Sequence, residues 1–512
     1  MKRNILFIGL SAALLLLLSA CSEEFLKVDP VGRASTENFP ESDQEAFQTL
    51  IGVYDLMQWN YGRDWNSAFF VKNLPADDVN AGSSESDQLP YQNLDDFAHV
   101  SDNPVIAGIW EGFYKAVNAS NAIINSTDPS NDFKAQIVAE AKVLRAWNYF
   151  ELVTLFGDVP FYFENPVSTA DFHKPRTPKS DIYAAIEKDL QEVISVLPLK
   201  SELPEQEKFR ISQGAAQSIL GKVYLYQEKW SAAHGVLSDV IDKEGTEFGL
   251  EENFGDVWKR VSEYGPESVF EIVYTSQEGY DWGNFGWGGD AEANIHVQLM
   301  GPRGNLFENL DAIGMIAGWG FNLPTEKIGL AFETMGDNGP RYQNSLMSED
   351  EFVAAGGSMA ASDAHDYGGY LRLKYGTYAT QTNTEAIAEL NYTTNWRLLR
   401  YADVLLMAAE AYNEDGMVSE ALTELNKVRV RAELPELSGL SQTQLRQAIK
   451  DERQLELAFE GVRYWDLVRW GDAESELSGE GFVSGKHELL PIPQTEVAAN
   501  NAIEESDQNP GF

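Results

Sequence analysis

Residues 408–428 read AAEAYNEDGMVSEALTELNKV, and residues 220–240 read LGKVYLYQEKWSAAHGVLSDV. Laid on one another without a gap, they align Gly221 with Ala409, Tyr224 with Tyr412, Ala233 with Ala421, Leu237 with Leu425 and Val240 with Val428. That is the spacing of a tetratricopeptide-like helical hairpin. The small residue lets the paired helix approach, while the tyrosine and the later alanine fill the seam between helices.

The pattern extends outward. Residues 139–156 carry Ala146 and Tyr149 at the same relative spacing and break at Gly157-Asp158-Val159-Pro160. The partner helix is expected over Ser180–Leu197, capped by Ser180 or Asp181 and stopped by Pro198. A fourth pair is expected from Ser42–Gln58 with Val105–Asn125, across a long polar and aromatic loop. The predicted fold is mainly α, a scaffold of about eight helices.

Residues 245–395 hold few periodic helical stretches. They contain strand-like runs at 268–274 and 370–375 among glycine-rich loops, and loops this long are usually functional. Beyond the last repeat, Ser441–Trp470 reads as one helix. Its Asp451, Glu452, Arg453, Glu456, Glu460, Arg463 and Arg469 set opposite charges three, four or seven residues apart, as paired helix charges would be. The tail from His487 to Phe512 is expected to be extended and to pack back on the body.

At the other end, Lys2 and Arg3 precede an apolar run from Ile5 to Leu18, and Leu18-Ser19-Ala20-Cys21 closes it. This is the order of a secretory signal with a lipoprotein cleavage box. The run is short for a membrane span, which needs about 20 residues. Cys21, the single cysteine of the chain, is the expected lipidation site. Several acyl chains there, at about 0.8 kcal/mol per buried methylene, anchor durably. Ser22-Glu23-Glu24 resembles a surface-export tag of Bacteroidetes lipoproteins, the alternative being a solvated acidic tether. The expected organisation is a leader (1–20), an acylated tether (21–41), an N-terminal helical part (42–244), a loop-rich ligand-binding excursion (245–395) and a C-terminal part (396–512) that forms one body with 42–244.

With 38 Lys and Arg against 80 Asp and Glu, the chain stands at −42, and loss of Lys2 and Arg3 with the leader takes it to −44. Nucleic acid and anionic membrane surfaces are disfavoured as partners, because both need clustered positive charge. With Cys21 modified, no disulfide is available, and stability rests on packing.

Several stretches in one order resemble the SusD/RagB family of nutrient-uptake outer-membrane lipoproteins. They are AEAKVLRAWNYF at 139–150, FGDVP at 156–160, RYADVLLMAAEAY at 400–412, DERQLELAFEGVRYWDLVR at 451–469, LPIP at 490–493 and QNPG at 508–511. The resemblance implies a tetratricopeptide scaffold with a loop-rich excursion, outer-membrane anchoring facing the cell exterior, and a SusC-like TonB-dependent transporter as partner. It also implies capture and delivery of glycan without catalysis. These are scaffold motifs and do not name the sugar.

Sugars present CH-rich faces beside hydroxyl rims, so recognition calls for flat aromatic rings flanked by amides, carboxylates and guanidinium groups. Two loop regions offer that mixture. The first holds Tyr61, Asp64 and Trp65, continued by the polar loop 83–93 with Asp87, Gln88 and Tyr91. The second holds Tyr280, Trp282, Asn284 and Trp287, followed by Arg303 and Trp319. Glycines beside Trp282, Trp287 and Trp319 supply no packing partners of their own, which favours ligand contact over burial. The alternative is that these rings pack on the scaffold or on the transporter, or that Tyr61 and Trp65 plug the end of a helix.

Enzyme signatures are missing from the sequence. The histidines at 99, 173, 234, 296, 365 and 487 never stand at i, i+4 spacing, no phosphate loop or Gly-x-Ser-x-Gly elbow occurs, and Asp337-Asn338-Gly339 is a turn without the further acids of a calcium loop. No cofactor or metal is implied. The expected function is capture of a neutral glucan. A peptide receptor of the RagB type, favoured if residues 268–274 present an exposed strand edge, and a structural adaptor of the transporter are the alternatives.

Overall fold

The computed structural model describes residues 42–62, 65–166, 168–276, 279–287, 291–360 and 365–512. The leader, Cys21 and the tether lie outside the described residues. Eight helices form the scaffold: α1 (Asp43–Gly62), α2 (Pro104–Ser126), α3 (Asp132–Phe156), α4 (Lys179–Val193), α5 (Gln213–Leu225), α6 (Trp230–Ile241), α7 (Tyr401–Glu414) and α8 (Val418–Arg431). Each packs on the next, and α6 meets α7 across the intervening excursion, so the two repeats stack as neighbours.

The seam is built as its residue types require. A Cβ on Gly221 would overlap the Leu237 side chain, so glycine is what lets α5 and α6 touch. Ala233, Leu237, Val240, Ala421, Leu425 and Val428 are fully buried. Tyr412 reaches across to the neighbouring repeat, stacking on His234 at 4.6 Å and sharing a 2.8 Å hydrogen bond with Ser238.

Three local expectations are corrected. Neither Ser180 nor Asp181 caps α4. The helix starts earlier, at Lys179, whose N–H donates to Asp158 Oδ1 (2.8 Å), so a carboxylate from the preceding break does the capping.

The single helix expected over 441–470 is two, α9 (Gln442–Glu456) and α10 (Arg463–Trp470), broken where Phe459 and Gly461 take φ of 68° and 74°. The break frees carbonyls for buried cations. Lys374 Nζ donates to Glu456 O (2.8 Å) and Ala458 O (3.1 Å), and Arg372 donates to Phe459 O (2.9 Å).

The charges of this segment are not chiefly intrahelical pairs either. Glu452, Arg453 and Glu456 are buried. Glu452 accepts from Arg341 (2.5 Å) and Arg429 (2.7 Å), Glu456 accepts from Arg400 (2.6 Å) and Arg431, and Arg453 spans Asp403 (2.8 Å) and Asp466 (2.7 Å). Burial pushes Glu456 towards protonation, but Arg431, Arg400 and Arg341 outweigh it and hold the carboxyl well below the usual range. The i, i+3 pair that does form here, Asp466–Arg469 at 2.8 Å, uses an aspartate outside the expected set.

The tail lies on the end of α3, where Leu490 N donates to Leu155 O (2.8 Å) and Asn509 Nδ2 to Phe156 O (3.0 Å), and it includes a short helix, Gln494–Ala499. Two small antiparallel ladders tie residues 245–395 to the rest. β1 (Val79–Gly82) pairs with β3 (Phe321–Pro324), matching Gly82 to Phe321, and β2 (Ser268–Ile272) pairs with β4 (Trp396–Arg400). The first ladder brings the loop after α1 beside the loop that carries Trp319.

Candidate functional site

Four tryptophans from three loops converge. Trp65 lies 6.4 Å from Trp287 and 6.1 Å from Trp319, Trp287 lies 6.2 Å from Trp319, and Trp282 lies 6.5 Å from Trp319 (ring centroids). Their planes are inclined by only 11°, 31°, 21° and 10° in those pairs. Trp282 is 52% and Trp287 41% exposed, while Trp65 and Trp319 are half-buried. The result is a platform of near-parallel, offset indoles, two of them exposed to solvent.

A layer of edge-on rings supports it. Phe321 meets Trp65 at 5.6 Å and 66°, Tyr91 meets it at 6.2 Å and 66°, and Phe285 meets Trp287 at 5.0 Å and 72°. Edge-to-face contacts of this kind add about 0.5–1.5 kcal/mol each beyond burial and hold a ring in one attitude. Tyr91 also donates its hydroxyl to Trp65 O (2.7 Å), locking the loop after α1.

One edge of the platform is polar. Arg303 donates to Ser83 Oγ (2.6 Å), which donates to Asp87 Oδ2 (2.7 Å). With Trp65, Trp319 and Phe321 these residues line a pocket of about 310 Å³. The guanidinium has five donors, of which one is engaged by Ser83. The Trp319 loop is held by backbone bonds from Gly318 N to Pro302 O (2.7 Å) and from Gly320 N to Gly301 O (2.9 Å).

Glycine matters here for backbone approach. Gly82 (φ 71°) and Gly320 (φ 75°) adopt left-handed conformations, and Ser83 N donates to Gly320 O at 2.6 Å. A Cβ on Gly320 would sit 2.9 Å from Arg303 Cβ. Beneath the edge, Asp95 accepts from Ala81 N (2.7 Å), and burial pushes its carboxyl well above the ordinary range.

The ten candidate residues thus divide. Trp65, Trp282, Trp287, Trp319 and Arg303 meet at one surface. Tyr61 does not; it is 2% exposed in the core, where its hydroxyl donates to Glu151 (3.0 Å) and accepts from Trp147 Nε1 (3.0 Å). The reason is helical position, since Tyr61 ends the buried face of α1.

Tyr91 and Tyr280 are also buried and act from beneath. Tyr280 packs on Phe285, and its hydroxyl accepts from Glu292 N (3.0 Å). Asn284 is exposed but folds its own loop, accepting from Asp281 N at 2.6 Å. Asp64 lies outside the described residues. Ser83 and Phe285 were not singled out by sequence; their roles come from contacts with distant residues. Among the described residues no group of three or more His, Cys, Asp or Glu is placed to hold a metal ion.

The helical repeats stack into one body of the tetratricopeptide type, and its loops carry the aromatic cluster. Residues 328–481 match the model of the SusD family, and residues 25–225 match one described as starch-binding associating with outer membrane. Over 92% of this chain, covering 99% of the other, the fold matches that of a "Laminarin binding SusD-like protein" with a TM-score of 0.82 and 33% identity. Relatives include the SusD-like protein P25 of Formosa agariphila, 27% identical over 95% of both chains. The starch-binding protein SusD of Bacteroides thetaiotaomicron is 22% identical over 88% of this chain and 86% of its own. The chain belongs to the SusD family.

Proposed function

We propose that this protein is a non-catalytic glycan-capture lipoprotein, anchored through Cys21 at the outer-membrane surface, that passes its glycan to a SusC-like TonB-dependent transporter. The observation that carries the reading is the indole platform with its Arg303–Ser83–Asp87 edge. Flat rings take the CH faces of pyranose units, and the guanidinium and carboxylate take the hydroxyl rim. The glycan is a neutral glucan. A mature charge near −44 repels uronate polymers, and the similar solved protein at 33% identity is described as binding laminarin, which points to a β-glucan.

The peptide alternative loses its supporting feature. Residues 268–272 form β2, which is buried along its whole length and paired with β4, so that strand offers no exposed edge for peptide addition. Native affinity electrophoresis in gels containing laminarin, starch, alginate or pectin tests the reading. Retardation by laminarin is expected, and retardation by the uronate polymers alone would overturn it.

A further inference from the structure

We propose that the outer face of α2 carries a second saccharide-contact region, a groove that continues the indole platform and receives the next units of an extended neutral glucan. This rests on the glycan reading above and adds to it the length of chain held. A groove of about 760 Å³ opens between α2, the residues Tyr162, Pro166, Phe172 and His173, and the tail helix Gln494–Ala499. Ligand clefts span roughly 300–1,000 Å³.

The groove starts at Asn66, the residue after Trp65. Asn66 thus lines the groove while its chain neighbour Trp65 contributes its ring to the platform. Gly108 makes room for that junction, because a Cβ there would sit 2.6 Å from the Asn66 side chain.

The lining offers aromatic surface. Phe172 projects into solvent as an exposed ring and Tyr114 is half-buried, its hydroxyl tied to Pro160 O at 2.7 Å and its ring backed at 5.0 Å by the buried Trp110. Around them stand the Asn66 and Asn118 amides and the Glu111 and Glu496 carboxylates. Lys115 is paired with Glu111 (2.6 Å) and lies over the Trp59 ring (4.5 Å). The groove thus presents acceptors for sugar hydroxyls, with its lysine already compensated, an arrangement suited to a neutral chain and unsuited to a polyanion.

Titration calorimetry of the full mature protein with laminarin fragments of increasing length tests this. Wild type is expected to gain about tenfold in affinity from the shortest binding fragment to the longest. Phe172→Ala, at an exposed position, should erase most of that gain and leave the shortest fragment unaffected. Glu111→Gln should reduce the gain in the same length-dependent way.

Equal affinity of wild type and Phe172→Ala for the longest fragment overturns the inference, as does a loss that is the same at every length. If wild type binds short fragments with no gain on lengthening, the groove fails while the platform reading stands. If it binds no glucan fragment at all, both fall.

Discussion

Two aromatic clusters in this protein use the same residue types to opposite ends. Around Trp396, Phe69 stacks at 4.1 Å with planes 3° apart and Tyr375 meets the indole edge-on at 4.3 Å, all three rings being buried. Around Trp319 the neighbouring indoles stand 6.1–6.5 Å away, and two of them are exposed. The difference lies in what carries each ring. Trp396 sits on β4, whose ladder with β2 places it against the scaffold, whereas Trp287 and Trp319 sit on loops whose contacts come from below. One cluster joins the excursion to the helical body, and the other leaves two of its indoles exposed at the surface.

The comparison can be broken most forcefully at Trp396. Its replacement by alanine empties a close-packed site, and a loss of about 3–5 kcal/mol in unfolding free energy is expected from denaturant titration. A loss below about 1 kcal/mol would mean that the cluster is not structural in the sense drawn here.

A third cluster, at the tail, sharpens the contrast through pH. His99 lies 5.4 Å from His487 and 5.5 Å from Phe512, and burial, with His487 adding to it, lowers His99 to about 4. A folded value below the unfolded 6.5 means that stability is present above pH 6.5 and lost as pH falls through about 4. The loss for His99 is of the order of 3 kcal/mol. Asp78 and Glu263, which burial pushes up to about 6 and about 7, act in the opposite sense, costing stability as pH rises towards those values. The difference in Tm between wild type and His99→Phe, followed from pH 7.5 to 4, therefore isolates the histidine. The variant is expected to lose less stability on acidification, and parallel curves would remove the assignment.

At the platform the expectation reverses. Trp319→Ala should weaken laminarin binding by about 2 kcal/mol or more, as removal of a central hot-spot ring does, while shifting unfolding free energy by less than about 1 kcal/mol. Calorimetry and thermal melts on one preparation decide it, and a large melting change with intact binding would move Trp319 into the structural class. Smaller again is Arg303→Ala, expected to cost about 1.5 kcal/mol in affinity through lost charge-assisted hydrogen bonds. Unchanged affinity would take the polar edge out of recognition.

The helical repeats were legible because their rule is local. The periods that place Gly221 and Ala233 are counted along a few turns, and the close approach of α5 and α6 they imply is found, while Tyr224 and Tyr412 reach instead to the preceding repeat. The break at Phe459–Gly461 was not legible, because the cations that use its carbonyls, Arg372 and Lys374, lie far back in the chain. For the same reason the charges of 451–469 looked like helix surface pairs, although most of their partners come from other elements. Tyr61 and Trp65 illustrate the problem at the site. Four residues apart in sequence, one is sunk in the core and the other forms part of the platform, a distinction made by the end of α1 between them.

From sequence alone came the mainly helical scaffold, the expectation of a lipid anchor at Cys21, and the residue types suited to a sugar. Local spacing and composition carry that information, since hydrophobic period and side-chain chemistry are properties of neighbouring residues. Tertiary structure alone decided which aromatics are exposed, that Trp65 joins Trp287 and Trp319 across more than two hundred residues, and that Ser83 links Arg303 to Asp87. Those facts follow from β1 pairing with β3 and from glycines that let two loops touch, contacts between distant segments that no local pattern specifies.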